Sequence, residues 1–285
     1  MVLQATIGQD IWAVESVVHS ILFYLDLSTF DAVLHFIQTA PELQVYLKDE
    51  ALWAQLSKAH FGGPRAPEMA LQEFLQSIDD FARFEKDVTV VAGDIQHVNA
   101  VDGQPLDGIV FPTNPNLTNH HVGAAAAVFR RAGPGLQQFV SDPSFHGARP
   151  VGSAVVTPAF DAGVDKLIHC VGPSIMVSHC YELLSLTYEN AMNAVLRENL
   201  QCVVMASVST GSLGILPEEG GPVAMRAIKM FLGRSGWRGK LAIVCKEESV
   251  LRAFTAAKTA AMKDFNLLLP LPENDWEVLH GRQLV

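Results

Sequence analysis

The chain has 285 residues, 49% hydrophobic and 18% charged, enough apolar material for one large domain or two modest ones. Its formal net charge is −10 at pH 7 and no dense Lys/Arg block occurs. That balance excludes a nucleic-acid grip by charge alone and an anchor on an acidic membrane surface.

The opening MVLQATIGQDIWAVE has no basic n-region and no unbroken apolar core, so no secretory leader is expected. His19, Asp26, Asp31 and His35 interrupt the apolar N-terminal half, and no run reaches membrane-spanning length. From residue 10 to 62 apolar residues recur at helical spacing. Val14, Val17, Val18, Ile21, Leu22 and Leu25 form one stripe, and Phe30, Val33, Leu34 and Ile37 a second. Asp26-Leu27-Ser28 breaks the first helix, Ser28 or Thr29 caps the second, and Pro41 ends it. A third short helix is predicted over 50–60, with Leu52, Trp53 and Leu56 on one side. Residues 1–62 therefore read as a small all-α module.

Gly62-Gly63-Pro64-Arg65-Ala66-Pro67 disfavours both helix and strand and marks a boundary. Residues 63–85 read as a linker and a connecting helix carrying Leu71, Phe74, Leu75, Ile78 and Phe81. Over 86–269 strands and helices alternate. Strands are predicted near 88–92, 107–111, 153–157, 166–171, 202–207 and 240–245, and helices near 121–131, 180–198, 219–233 and 247–258. This predicts an α/β domain of three layers, a mainly parallel sheet with helices on both faces, which binds ligands at the carboxyl ends of its strands. The tail, 270–285, has Pro270 and Pro272 and little periodicity, so it is expected to lie along the surface. Four irregularly spaced cysteines (Cys170, Cys180, Cys202, Cys245) fall mostly in apolar runs and read as reduced core thiols of an intracellular protein.

One stretch carries most of the functional information. Val204 to Pro217, VMASVSTGSLGILP, is an apolar strand running into Ser209-Thr210-Gly211-Ser212-Leu213-Gly214 and then a helix. A strand, a Gly-rich turn and a helix start leave several amide groups pointing one way, which favours a bound phosphate. Two further segments belong with it: Gly93-Asp94-Ile95 after a strand, and Asp107 to Phe111 leading into Pro112-Thr113-Asn114. Gly152 to Pro173 adds two more strands.

Taken in order, GDI, the strand ending in Asn114 and Leu117, GSAVVTP, KLIHCVGP and STGSLG resemble the macrodomain family over about Lys86 to Leu269. Macrodomains bind ADP-ribose or ADP-ribosylated proteins, some hydrolyse the modification, and they use no cofactor. The resemblance makes Asp94, with Ile95, the adenine reader and Asn114 the residue facing the distal ribose. Ser209, Thr210, Gly211, Ser212, Leu213 and Gly214 become the second phosphate loop, and Val122 follows the first. That first loop departs from the family: its glycines are replaced by Asn119-His120-His121. The aromatic that often stacks on adenine aligns with Lys246.

The family's hydrolases carry an Asn and an Asp at positions held here by Phe111 and Gly123. No Asp, Glu or Lys lies between Pro115 and Ser141, whereas acid–base chemistry needs a titratable group within reach. The pattern is similar to the non-catalytic macrodomain of the macro-histone, which implies a reader. His120 and His121 are the remaining catalytic candidates, for an ADP-ribosyl hydrolase or an ADP-ribose phosphate-esterase. A scaffold that has lost nucleotide binding is the other alternative. No metal site is expected.

The N-terminal residues resemble an F-box, through Ile21-Leu22-Phe23-Tyr24-Leu25-Asp26-Leu27 and then Leu52-Trp53-Ala54-Gln55-Leu56 up to Phe61-Gly62. The resemblance implies docking of the adaptor Skp1 through residues 10–62, and so a link to a cullin ubiquitin ligase. A helical module packed within its own chain is the competing expectation.

Overall fold

A computed structural model describes residues 15–268 and 270–273; Val14 and most of the 270–285 tail lie outside the described residues. The chain divides into two compact units, the first reaching Ala82 and taking in Met262–Leu268, the second running from Arg83 to Ala261.

The first unit is helical. α1 (Glu15–Tyr24), α2 (Phe30–Thr39), the single turn α3 (Gln44–Leu47), α4 (Glu50–Phe61) and most of α5 (Ala70–Asp87) enclose an aromatic interior. The Phe74 ring lies 5.0 Å from Phe30, 5.5 Å from Trp53 and 5.6 Å from Phe61. The buried Trp53 donates its indole N–H to the Tyr46 carbonyl at 2.8 Å, so its one polar atom is satisfied. Asp49 caps α4 by accepting from the Leu52 amide at 3.0 Å. Thr29 stands at the start of α2 but its hydroxyl donates back to the Asp26 carbonyl, and no side chain caps that helix.

The second unit is a six-stranded sheet in the order β1-β8-β7-β4-β6-β5. Its strands are β1 (Val88–Ala92), β4 (Gly108–Thr113), β5 (Ala154–Pro158), β6 (Lys166–Val171), β7 (Cys202–Ala206) and β8 (Lys240–Cys245). All neighbours pair parallel except β5, which runs antiparallel to β6 at the edge. β7 is buried at all five positions and β4 at five of six, as expected of strands covered on both faces. A two-stranded hairpin, β2 (Ala100–Val101) and β3 (Gln104–Pro105), turns through Asp102-Gly103, both at positive φ. Helices α6 (Gly123–Ala132), α7 (Pro134–Val140), α8 (Cys180–Arg197), α9 (Pro217–Ser235) and α10 (Glu248–Lys263) complete the unit.

All four cysteines are buried and free. Burial pushes the Cys170 thiol up to about 12 and the Cys245 thiol up to about 11, so both are inert core groups. No described helix is long and apolar enough to cross a membrane.

Candidate nucleotide site at the carboxyl edge of the sheet

Because β1, β8, β7, β4 and β6 are parallel, the segments that follow them share one edge of the sheet. In strand order these are Asp94, Lys246, the Ser209–Gly214 loop, the Asn114–His121 loop and Gly172. Neighbouring strands lie about 4.8 Å apart, so three steps from β1 to β4 span roughly 14 Å. That is the scale of an extended nucleoside diphosphate, laid with its base near β1 and its far end near β4.

At the β1 end the Asp94 carboxylate is already engaged on both oxygens. Oδ1 accepts from the Gln96 amide at 3.0 Å, an Asx-type turn, and Oδ2 accepts from Lys246 Nζ at 2.9 Å. The Lys246 hydrogen bond, followed by the Gln96 amide, holds the Asp94 carboxyl below the usual carboxylate range. Ile95 is buried and its carbonyl accepts from Arg131, which also grips the Val98 and Ala162 carbonyls and so pins this turn against α6.

The Ser209–Gly214 loop follows β7. Ser209 and Gly214 both have positive φ, 64° and 81°, and between them the chain makes a tight reversal. The Gly214 amide donates to the Gly211 carbonyl and the Ile215 amide to the Ser209 carbonyl. The amides of Thr210, Gly211, Ser212 and Leu213 find no acceptor among the described residues. Gly211 and Ser212 are exposed at the loop tip. Ser209 itself is 3% exposed and its hydroxyl has no hydrogen-bond partner. Gly172, at the end of β6, makes room for it, since a Cβ there would run into Ser209 Oγ and Val208. Behind the loop, the buried Tyr188 hydroxyl accepts from the Val208 amide at 2.9 Å and fixes the strand end.

The first loop is organised by its own side chains. Asn119 Oδ1 accepts from Thr113 Oγ1 at 2.7 Å and from the Asn114 amide at 3.1 Å. Asn114 Oδ1 accepts from the Thr118 amide at 2.8 Å, and its Nδ2 donates to Thr118 Oγ1 at 3.1 Å. The Asn114 side chain is thus spent on its own turn, which also lets Leu117 adopt a φ of 60° while fully buried. Val122 is 60% exposed and starts α6 without a side-chain cap, leaving first-turn amides open to an anion.

His120 and His121 have ring centroids 3.8 Å apart, and His120 Nε2 lies 3.3 Å from Gln137 Nε2. With Phe129, Arg130, Gly133, Pro134 and Gln137, His120 lines an open depression of about 310 Å³ between α6 and α7. Phe111 is fully buried against Phe129 and His169, so that position presents no polar group at all. Among the described residues the three ligand-bearing side chains that approach within 4.8 Å are Glu15, His19 and Asp49 of the helical unit, a grouping no sequence motif signalled.

An αβα sheet edge with a carboxylate at one end and a strand–loop–helix amide cradle in the middle defines a nucleotide-binding class of domain. The Macro domain family profile matches residues 110–224. The O-acetyl-ADP-ribose deacetylase of Klebsiella pneumoniae strain 342 is 30% identical over 165 residues, 56% of this chain and 89% of that protein. The chain belongs to the macrodomain family. The enzyme of the same description from Escherichia coli K12 is 29% identical over 164 residues, covering 56% of this chain and 89% of its own length. Among solved structures, a variant Oceanobacillus iheyensis macrodomain with ADPR is similar at 25% identity and a TM-score of 0.54, covering 62% of this chain and 95% of that one. The Trypanosoma brucei macrodomain in complex with ADP-ribose shares the fold at 20% identity and a TM-score of 0.54, over 62% of this chain and 71% of its own.

Proposed function

We propose that this chain recognises ADP-ribose, free or attached to protein, and does not hydrolyse it efficiently. The observation that carries the reading is the run of four unpaired amides from Thr210 to Leu213 on an edge that Asp94 also lines. Amides held in place before a ligand arrives bind a diphosphate without reorganising. The ADPR complex of the similar Oceanobacillus iheyensis macrodomain supports the choice of ligand. The lack of turnover rests on Phe111 and Gly123, which offer no acid or base. Titration of ADP-ribose by calorimetry, with Asp94→Ala alongside, tests the binding half. Micromolar affinity, lowered at least about tenfold by the variant, is the expected result, since a charged hydrogen-bond partner contributes about 1.5–3 kcal/mol. Absence of binding by the wild type would leave a scaffold.

A second reading is favoured by the deacetylase relatives and by the stacked His120–His121 pair beside the first loop. On that reading one imidazole acts as base toward water attacking an ester on the ligand. Release of free ADP-ribose from a modified protein, lost in a His120→Ala, His121→Ala double variant, would establish it over the non-hydrolysing one.

The helical unit carries the partner half of the proposal, docking of Skp1. Its support is the F-box-like pattern and the apolar side chains that α1 and α2 leave at the surface, with Tyr24 91% and Phe36 44% exposed. Purified Skp1 should be retained by the wild type and not by a Tyr24→Glu, Phe36→Glu variant; equal retention would remove ligase coupling from the reading.

A further inference from the structure

The position where an adenine-stacking aromatic is expected holds Lys246, and Lys246 is paired with the carboxylate that would read the base. The pair is not sealed away: the Lys246 side chain is 66% and the Asp94 side chain 25% exposed. Each partner also keeps capacity. A carboxylate has about four acceptor directions, of which the Gln96 amide and Lys246 take two, and an ammonium has three donors, of which Asp94 takes one. The base end of the edge therefore presents an acceptor and a donor side by side, 2.9 Å apart.

A carboxylate standing alone accepts from the 6-amino group of adenine and repels a 6-oxo group, because two acceptors then face each other. The 6-oxopurines, hypoxanthine and guanine, carry that oxygen beside an N1–H donor. A donor next to the carboxylate removes the repulsion: Lys246 Nζ donates to O6 while N1–H donates to Asp94. Adenine still pairs in the opposite sense, its amine donating to Asp94 and its N1 accepting from Lys246.

We infer that the Asp94–Lys246 pair lets the base subsite accept 6-oxopurine diphosphate riboses as well as ADP-ribose, with Lys246 as the residue that sets this specificity. The inference rests on the proposed nucleotide site and names its ligand class more closely. Loss of the ammonium restores a lone carboxylate and, with it, discrimination against the 6-oxo group.

The test compares ADP-ribose with inosine and guanosine diphosphate riboses, made from the corresponding dinucleotide analogues, on wild type and Lys246→Met. In the wild type the three affinities should fall within about tenfold of one another. In Lys246→Met the two 6-oxopurine ligands should weaken by about ten- to a hundredfold, the range for losing a charged hydrogen bond and leaving its acceptor opposed. ADP-ribose should change by less than about threefold, since its amine contact to Asp94 remains. Wild-type rejection of both 6-oxopurine ligands with ADP-ribose bound would overturn this inference alone. So would a Lys246→Met variant that weakens all three ligands alike. Failure of all three to bind the wild type would overturn the nucleotide site itself. Circular dichroism of the variant separates these from misfolding, and a substitution at so exposed a side chain should leave the spectrum unchanged.

Discussion

His169 shows how a polar residue in a strand can serve the core. It sits on β6 with no exposed surface, its ring 4.5 Å from Phe111, and its Nε2 shares a hydrogen with Thr157 Oγ1 at 3.0 Å. Nδ1 has no partner. Burial, aided by the Arg149 charge, pushes its pKa down to about 3, so the imidazole is neutral in the folded protein. The unfolded chain binds a proton at this residue below about pH 6.5 and the folded protein does not. Its stabilising effect is therefore complete above that pH and is lost as pH falls from about 6.5 toward 3, at about 1.4 kcal/mol per pH unit. Thermal melts of His169→Gln, which keeps a polar partner for Thr157, should show an acid slope between pH 6.5 and 4 reduced by that amount. An unchanged slope would mean that His169 is protonated in the native state. The same burial removes His169 and Cys170 from any metal or catalytic role.

At the level of elements, the regular parts were legible because their chemistry is local. Val, Ile and Leu runs bounded by Gly or Asp predict β1, β4, β6, β7 and β8, and each appears within about two residues of its expected place. The loop after β7 was legible for the same reason, since Ser-Thr-Gly and the later Gly carry the turn in their own backbone preferences. The β2–β3 hairpin and α7 went unread. Asp102-Gly103 is a hairpin signal, but two-residue strands give no alternation to notice. The side-chain economy of the site was not legible at all. That Asn114 would be consumed by Thr118, four residues on, and that Asp94 would meet Lys246, 152 residues away, depends on turn geometry and strand order. Strand order places β8 beside β1, and only that adjacency brings the ammonium to the carboxylate.

For the molecule as a whole, the net charge of −10 sets a problem for an anionic ligand. A diphosphate approaching this protein is repelled at long range, so attraction must come from groups that act only at contact. The loop amides of Thr210 to Leu213 and the uncapped start of α6 are such groups, fixed dipoles whose pull extends a few ångströms. Salt separates the two contributions. The Debye length shortens from about 20 Å to about 7 Å between ~20 and ~200 mM salt, which screens the repulsion and leaves contact dipoles nearly untouched. ADP-ribose affinity measured by calorimetry across that range should therefore hold within about threefold or rise slightly. A protein that held the diphosphate with lysines and arginines would instead weaken several-fold as its attraction was screened. A fall of more than about tenfold would assign the phosphates to cationic side chains. The amide loop after β7 would then be a turn that merely closes the sheet edge.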